Sequence, residues 1–223
     1  MTSTSDDKLS SFKQEFSEIL ISGLSKTINK YFEGGSRSSK KTDELNATIY
    51  SCIEKIIRDK YGGSTADYKL KCECNVKSLN QSNAKKCDIV VFKNDKPFLI
   101  LPLKFCMTNY KQNKNNYWEG LTGEVCHLSW ANPDIKIIPV NIVMNKIPYL
   151  KKNSTIEKWE EITFENSFGI YSNLVSRGIA HSMYNVIIDV NHVCNINEAY
   201  NKAPEILSIN ESVSLYDVLF EIF

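Results

Sequence analysis

Residues 85–128 read KKCDIVVFKNDKPFLILPLKFCMTNYKQNKNNYWEGLTGEVCHL. Asp88 opens an apolar run through Phe92, Lys93-Asn94-Asp95-Lys96 supplies turn residues, and a second apolar run returns to Lys104. Two strands are predicted, over 87–92 and 97–105, and the short connection makes them an antiparallel hairpin. Their nearly continuous apolar content marks strands covered on both faces. A polar loop follows, then a helix predicted over 113–130 that carries Glu119 and Glu124. Such an order can bring a carboxylate, a lysine and a second carboxylate to one end of a sheet.

Upstream of this stretch, apolar residues at Leu9, Phe12, Phe16, Ile19, Leu20, Leu24, Ile28, Tyr31 and Phe32 keep the three-and-four spacing of an amphipathic helix over 7–32. Gly34-Gly35 stops it, and the residues through Lys41 read as an exposed basic linker. Thr42 is a reasonable N-cap for a second helix, with Asp43 and Glu44 where the helix dipole favours negative charge. Leu45, Ile49, Cys52, Ile53, Ile56 and Ile57 form its apolar stripe, and Tyr61-Gly62-Gly63 ends it. A strand follows over 68–77.

Downstream, residues 135–144 read as a buried strand despite Pro139, which requires a sheet position where the missing N–H does little harm. Beyond it the sequence predicts a loop over 148–153, a helical turn over 156–161, a helix over 167–177, a strand over 184–190 and a closing helix over 212–223. From residue 42 to 144 the order is helix, three strands, helix, strand: an α/β fold with a mixed sheet flanked by helices. The length of 223 residues suits one domain with a sizeable core. Its expected parts are an N-terminal helix and basic linker (1–41), a core (42–144) and a C-terminal elaboration (145–223).

The apolar runs are far shorter than the roughly 20 residues needed to cross a bilayer. Asp6-Asp7 stands where a secretory leader would be basic. A soluble, cytoplasmic protein without membrane contact is expected. Seven cysteines, an odd number, suggest reduced thiols; Cys72, Cys74 and Cys87 read as small buried hydrophobes before metal ligands. Residues 1–115 hold 20 Lys+Arg against 13 Asp+Glu, whereas residues 116–223 hold 7 against 13. The basic half would suit a polyanion, or would form an ordinary solvated surface. His127, His181 and His192 read as structural or surface residues, although Asp189 lies close before His192 in sequence.

In this arrangement the chain resembles the PD-(D/E)XK nuclease superfamily, and within it the type II restriction endonucleases. Their motif is an aspartate at the start of the second core strand, then an acid, any residue and a lysine on the third. Asp88 matches the aspartate and Lys104 the lysine, while Pro102 occupies the acid position. Some restriction enzymes of this superfamily carry the displaced acid on the following helix. Glu119, 15 positions after Lys104, matches that placement, with Glu124 in reserve. The two are about 500° apart around a helix and cannot share one face. Glu44 or Glu54 is a third source.

The resemblance implies a restriction-endonuclease-like three-layer αβββαβ core and Mg²⁺-dependent hydrolysis of double-stranded DNA that leaves a 5′-phosphate. Asp88 and Glu119 would hold the metal, with the Leu103 carbonyl as a possible ligand. Lys104 would act on the attacking water and the developing charge. Cutting both strands of a palindrome is most simply done by a homodimer. Asn109, Lys111, Gln112, Asn113, Lys114 and Asn116 lie beside this site and are of the types that read bases or hold phosphate; they would also suit a soluble, Asn-capped turn. Two other readings stay open, a catalytically inactive binding module of the same fold and a structure-selective repair or recombination nuclease.

Overall fold

The computed structural model describes residues 3–35, 38–65 and 67–223, so Ser36 and Arg37 of the expected basic linker lie outside the described residues. In chain order come α1 (Ser3–Gly34), α2 (Lys40–Lys60), β1 (Tyr68–Lys77), β2 (Ala84–Lys93), β3 (Lys96–Leu101), β4 (Leu103–Cys106) and α3 (Tyr110–Ala131). These are followed by β5 (Lys136–Ile137), β6 (Val140–Met144), β7 (Lys146–Leu150), β8 (Ile156–Glu161), α4 (Phe164–Ser167), α5 (Ser172–Ser176), β9 (Tyr184–Asn191), β10 (Glu205–Glu211) and α6 (Leu215–Ile222). The protein is mixed α/β, with parallel and antiparallel pairing in its sheets, and it runs α-β-β-β-α-β from α2 to β6 once β3/β4 and β5/β6 are each taken as one interrupted strand. Among the described residues no helix is long and apolar enough to cross a membrane.

Two compact units make up the chain: Met1–Asp67 with Ser214–Phe223, and Tyr68–Val213. That division cuts across the sequence-based boundaries at 41/42 and 144/145. In the first unit α1 buries Phe16, Leu20, Leu24 and Ile28, four residues apart, and α2 buries Ile49, Ile53, Ile56 and Ile57. Gly23 lets the two helices approach closely, since a Cβ there would lie 2.2 Å from Thr48 Cγ2. Lys55 bridges Glu15 at 2.9 Å and Asp59 at 2.5 Å, and Ser214 caps α6 by accepting from Asp217 N at 3.2 Å.

The second unit holds the sheets. β1, β2 and β3 form an antiparallel meander, β3 runs parallel to β5, β4 runs parallel to β6, and β6 runs parallel to β9, which β10 edges. Prolines explain the interruptions. Pro102 separates β3 from β4 and Pro139 follows β5, each lacking the N–H that a ladder needs. Their carbonyls still pair: Pro102 O accepts from Val140 N at 2.8 Å and Pro139 O from Tyr184 N at 2.9 Å. The expected strands over 97–105 and 135–144 are therefore each present in two pieces.

Three segments depart from expectation. Residues 156–161 are strand β8, paired with β7, instead of a helical turn, and β7 occupies the start of the expected 148–153 loop. The register shift at Tyr149/Leu150 leaves Glu157 without a register partner, and with Lys158 exposed the two buried positions Ile156 and Glu160, four apart, fit a helical face as well as a strand. The helix expected over 167–177 is divided into α4, a 3-10 turn at Gly169–Tyr171 and α5. β10 is a strand that the sequence reading did not separate from loop, and the closing helix begins at Leu215 after its Ser214 cap.

Candidate active site

Asp88 lies near the middle of β2, between Cys87 and Ile89, both fully buried. Ile89 pairs with Leu101, so the next step of the antiparallel register sets Asp88 against Pro102. The proline breaks the ladder there, and Asp88 repairs it: its Oδ2 accepts from Leu103 N at 2.7 Å. N–H and C=O of one strand residue point to the same side, so the Leu103 carbonyl is aimed toward the same edge of β2. Burial pushes the Asp88 carboxyl above its ordinary range. The Leu103 N–H and the Lys104 ammonium oppose that shift, and the negative charges of Glu124 and Glu73 add to it.

Lys104 follows on β4, directly opposite Asn141 of β6. Its Nζ lies 3.6 Å from Oε2 of Glu124, and Lys85 Nζ lies 3.4 Å from the same oxygen. The Glu124 side chain is only 8% exposed. A buried carboxylate requires compensating charge, and here two ammonium groups supply it. Glu124 comes from the α3 face that buries Leu121, Val125 and Leu128. Burial, reinforced by the charges of Glu124 and Asp88, pushes the neighbouring Cys87 thiol up to about 12, which keeps it protonated and inert.

Asp88, Lys104 and Glu124 are thus brought together. Glu119, named from the sequence as the displaced acid, is not: it is exposed and forms no ion pair among the described residues. The helix phase decides between them, because the turn that presents Glu124 to Lys104 carries Glu119 elsewhere. Glu44 and Glu54 belong to α2 in the other compact unit, where Glu54 pairs with Arg58 at 3.0 Å.

Two residues at the site carried no sequence signal. Lys85 reads as one of a pair of surface lysines at a strand start. Glu73 falls opposite Asp88 between the pairs Cys72–Ile89 and Cys74–Cys87, with a left-handed φ of 53°, and it is ion-paired with Lys86. A glutamate with positive φ inside a strand is visible only in the backbone.

The polar segment predicted as a loop is Asn109 and the first turns of α3, which begins at Tyr110, and it divides in two. Asn109, also left-handed (φ 53°), accepts from Leu150 N at 2.6 Å; Asn113 Nδ2 donates to Asn109 O at 3.0 Å; and Lys114 Nζ donates to Asn166 O at 2.5 Å. These three hold the loop and the helix start together. The buried Glu160 carboxylate accepts from Lys111 N at 3.0 Å and so satisfies a first-turn N–H of α3. The side chains of Lys111, Gln112 and Asn116 stay exposed. Asp189 makes no pair with His192; it accepts from Ser208 Oγ at 2.7 Å and Asn210 Nδ2 at 2.8 Å, while His192 Nε2 meets Lys146 O at 2.8 Å.

The donor set at Asp88 suits a hard cation. The second Asp88 oxygen, the Leu103 carbonyl and the Glu124 carboxylate are oxygen ligands of the kind Mg²⁺ takes, one or two carboxylates with water completing the shell. Among the described residues no group of three or more His, Cys, Asp and Glu side chains is placed to hold a metal. A cation here would rest on two carboxylates and a carbonyl. Compared with family models, curated proteins and solved structures, the chain matches none.

Proposed function

We propose that this protein is a Mg²⁺-dependent endonuclease of double-stranded DNA, of the type II restriction kind, acting as a homodimer. The observation that carries the reading is the convergence of Asp88 from β2, Lys104 from β4 and Glu124 from α3, with two lysines on the one buried carboxylate. Two carboxylates that can hold a metal ion, beside a lysine that can offset phosphoryl charge, are groups that phosphodiester hydrolysis can use. Glu124 takes the place first given to Glu119, and Pro102 ceases to be an obstacle, because the second acid reaches the site from the helix.

In this reading Asp88, the Leu103 carbonyl and Glu124 would hold Mg²⁺, which polarises a phosphoryl oxygen and acidifies bound water when present. Asp88 is oriented for this by the Leu103 N–H, which fixes one oxygen and leaves the other for a ligand. Lys104 offers its ammonium to the water and to the charge that builds on the phosphoryl oxygens. Lys111, Gln112 and Asn116, exposed at the start of α3, are available to contact DNA.

The test is digestion of a plasmid of known sequence with Mg²⁺ or Mn²⁺. Discrete fragments, lost on Glu124→Gln and on Asp88→Asn, are the expected result. A smear from linear DNA would favour a structure-selective nuclease. The closed ion-pair set around Glu124 favours a second reading, an inactive binding module of the same fold; duplex binding without cutting under any metal would establish it.

A further inference from the structure

Lys85 lies outside the set of acids and lysine just assigned, yet it approaches the buried Glu124 oxygen more closely than Lys104 does, 3.4 Å against 3.6 Å. Both ammonium groups sit on Oε2, and both lysine side chains keep an open flank, with 38% and 41% exposure. Asp88 and Glu124 contribute two negative charges and Lys85 and Lys104 two positive ones, so this group of four is neutral as it stands. A divalent cation on the two carboxylates would make it doubly positive. That is the charge which best offsets a phosphodiester passing through a dianionic transition state. With Lys104 alone it would offset only half.

Resting on the nuclease reading, we propose that Lys85 is a second phosphate-binding cation of the site and that, with Lys104, it clamps Glu124 until metal and DNA arrive. Metal binding takes the carboxylate, and the two ammonium groups turn to the phosphate. Each partner then exchanges one charged neighbour for another, and neither the buried carboxylate nor the lysines are left unpaired. Lys85 can make this exchange because its long side chain reaches the site from the half-buried start of β2 while keeping an open flank.

Two opposite effects in one variant test this. In Lys85→Ala, Mn²⁺ binding followed by calorimetry without DNA tightens about 3- to 10-fold, because a competitor for Glu124 is gone. Binding of a 20-base-pair duplex in Ca²⁺ weakens by a similar factor, and Lys85→Arg restores it. If Lys85→Ala leaves both affinities as in the wild type, or weakens Mn²⁺ binding, the inference fails while the nuclease reading stands. If the wild-type protein binds no Mn²⁺, or if Glu124→Gln binds it undiminished, the metal site itself fails and the inference falls with it. Circular dichroism confirms that each variant is folded, and Lys85→Met serves as the second neutral variant should Lys85→Ala not fold.

Discussion

Replacing Asp88 by alanine removes the proposed metal ligand and the carboxylate that accepts from Leu103 N, whereas asparagine keeps an acceptor for that N–H. Asp88→Ala should therefore lose about 1–3 kcal/mol of stability, the cost of a buried orphan donor, and Asp88→Asn much less, while both lose metal binding. Thermal melts alongside calorimetry separate the two effects. The raised carboxyl of Asp88 also fixes the sign of the pH response. The folded chain holds this proton more tightly than the unfolded chain, so the Asp88 contribution to stability is greatest below the ordinary aspartate range. It is lost as pH rises through the raised folded value. Metal binding needs the ionised form, so its acid limb should lie above the usual aspartate range. Lys104→Met should move that limb to higher pH, because it removes a charge that favours ionisation of Asp88. A limb unmoved by this variant would show that another group controls it. Asp88 and Lys104 could be picked out from the sequence because charges stand out in apolar strands. Lys85 and Glu73 could not, because their significance lies in what they face across the fold.

At the scale of elements, the phase of α3 separates two glutamates that the sequence leaves equivalent. Glu124→Gln should reduce cleavage by about 100-fold or more, as removal of a group that stabilises the reacting centre does, and Glu119→Gln should leave it unchanged. Steady-state kinetics on one duplex decides this. The α1–α2 crossing gives a test that is independent of chemistry. A methyl group at Gly23 would press into Thr48, so Gly23→Ala should cost about 1–3 kcal/mol, and Thr48→Gly should recover much of it in the double variant. Denaturant unfolding measures both. Legibility varied among the elements for physical reasons. Long amphipathic helices announce themselves by periodicity, so α1, α2 and α3 could be placed to within a few residues. β8 could not, because its two buried residues, four apart with Lys158 exposed between them, suit a helix as well as a strand. The single apolar runs over 97–105 and 135–144 showed where strands lie, but not that Pro102 and Pro139 divide both at neighbouring places in the ladder.

On the scale of the whole chain, the basic first half and acidic second half set an expectation for polyanion binding that salt dependence tests. If Lys111 contacts phosphate, Lys111→Ala should lower the slope of log affinity against log salt by about 1 and weaken binding alike across sequences. A slope equal to that of the wild type would remove the start of α3 from the interface. By itself the sequence determined the mixed α/β class, the order of elements from α2 to β6 and two charged residues inside apolar strands, because hydrophobic period and turn chemistry are local properties of the chain. Tertiary structure alone decided that Asp88 closes the gap left by Pro102, that Glu124 and not Glu119 reaches Lys104, and that Lys85 joins them. Those are contacts between segments distant in sequence. They depend on helix phase and strand register, which only packing fixes.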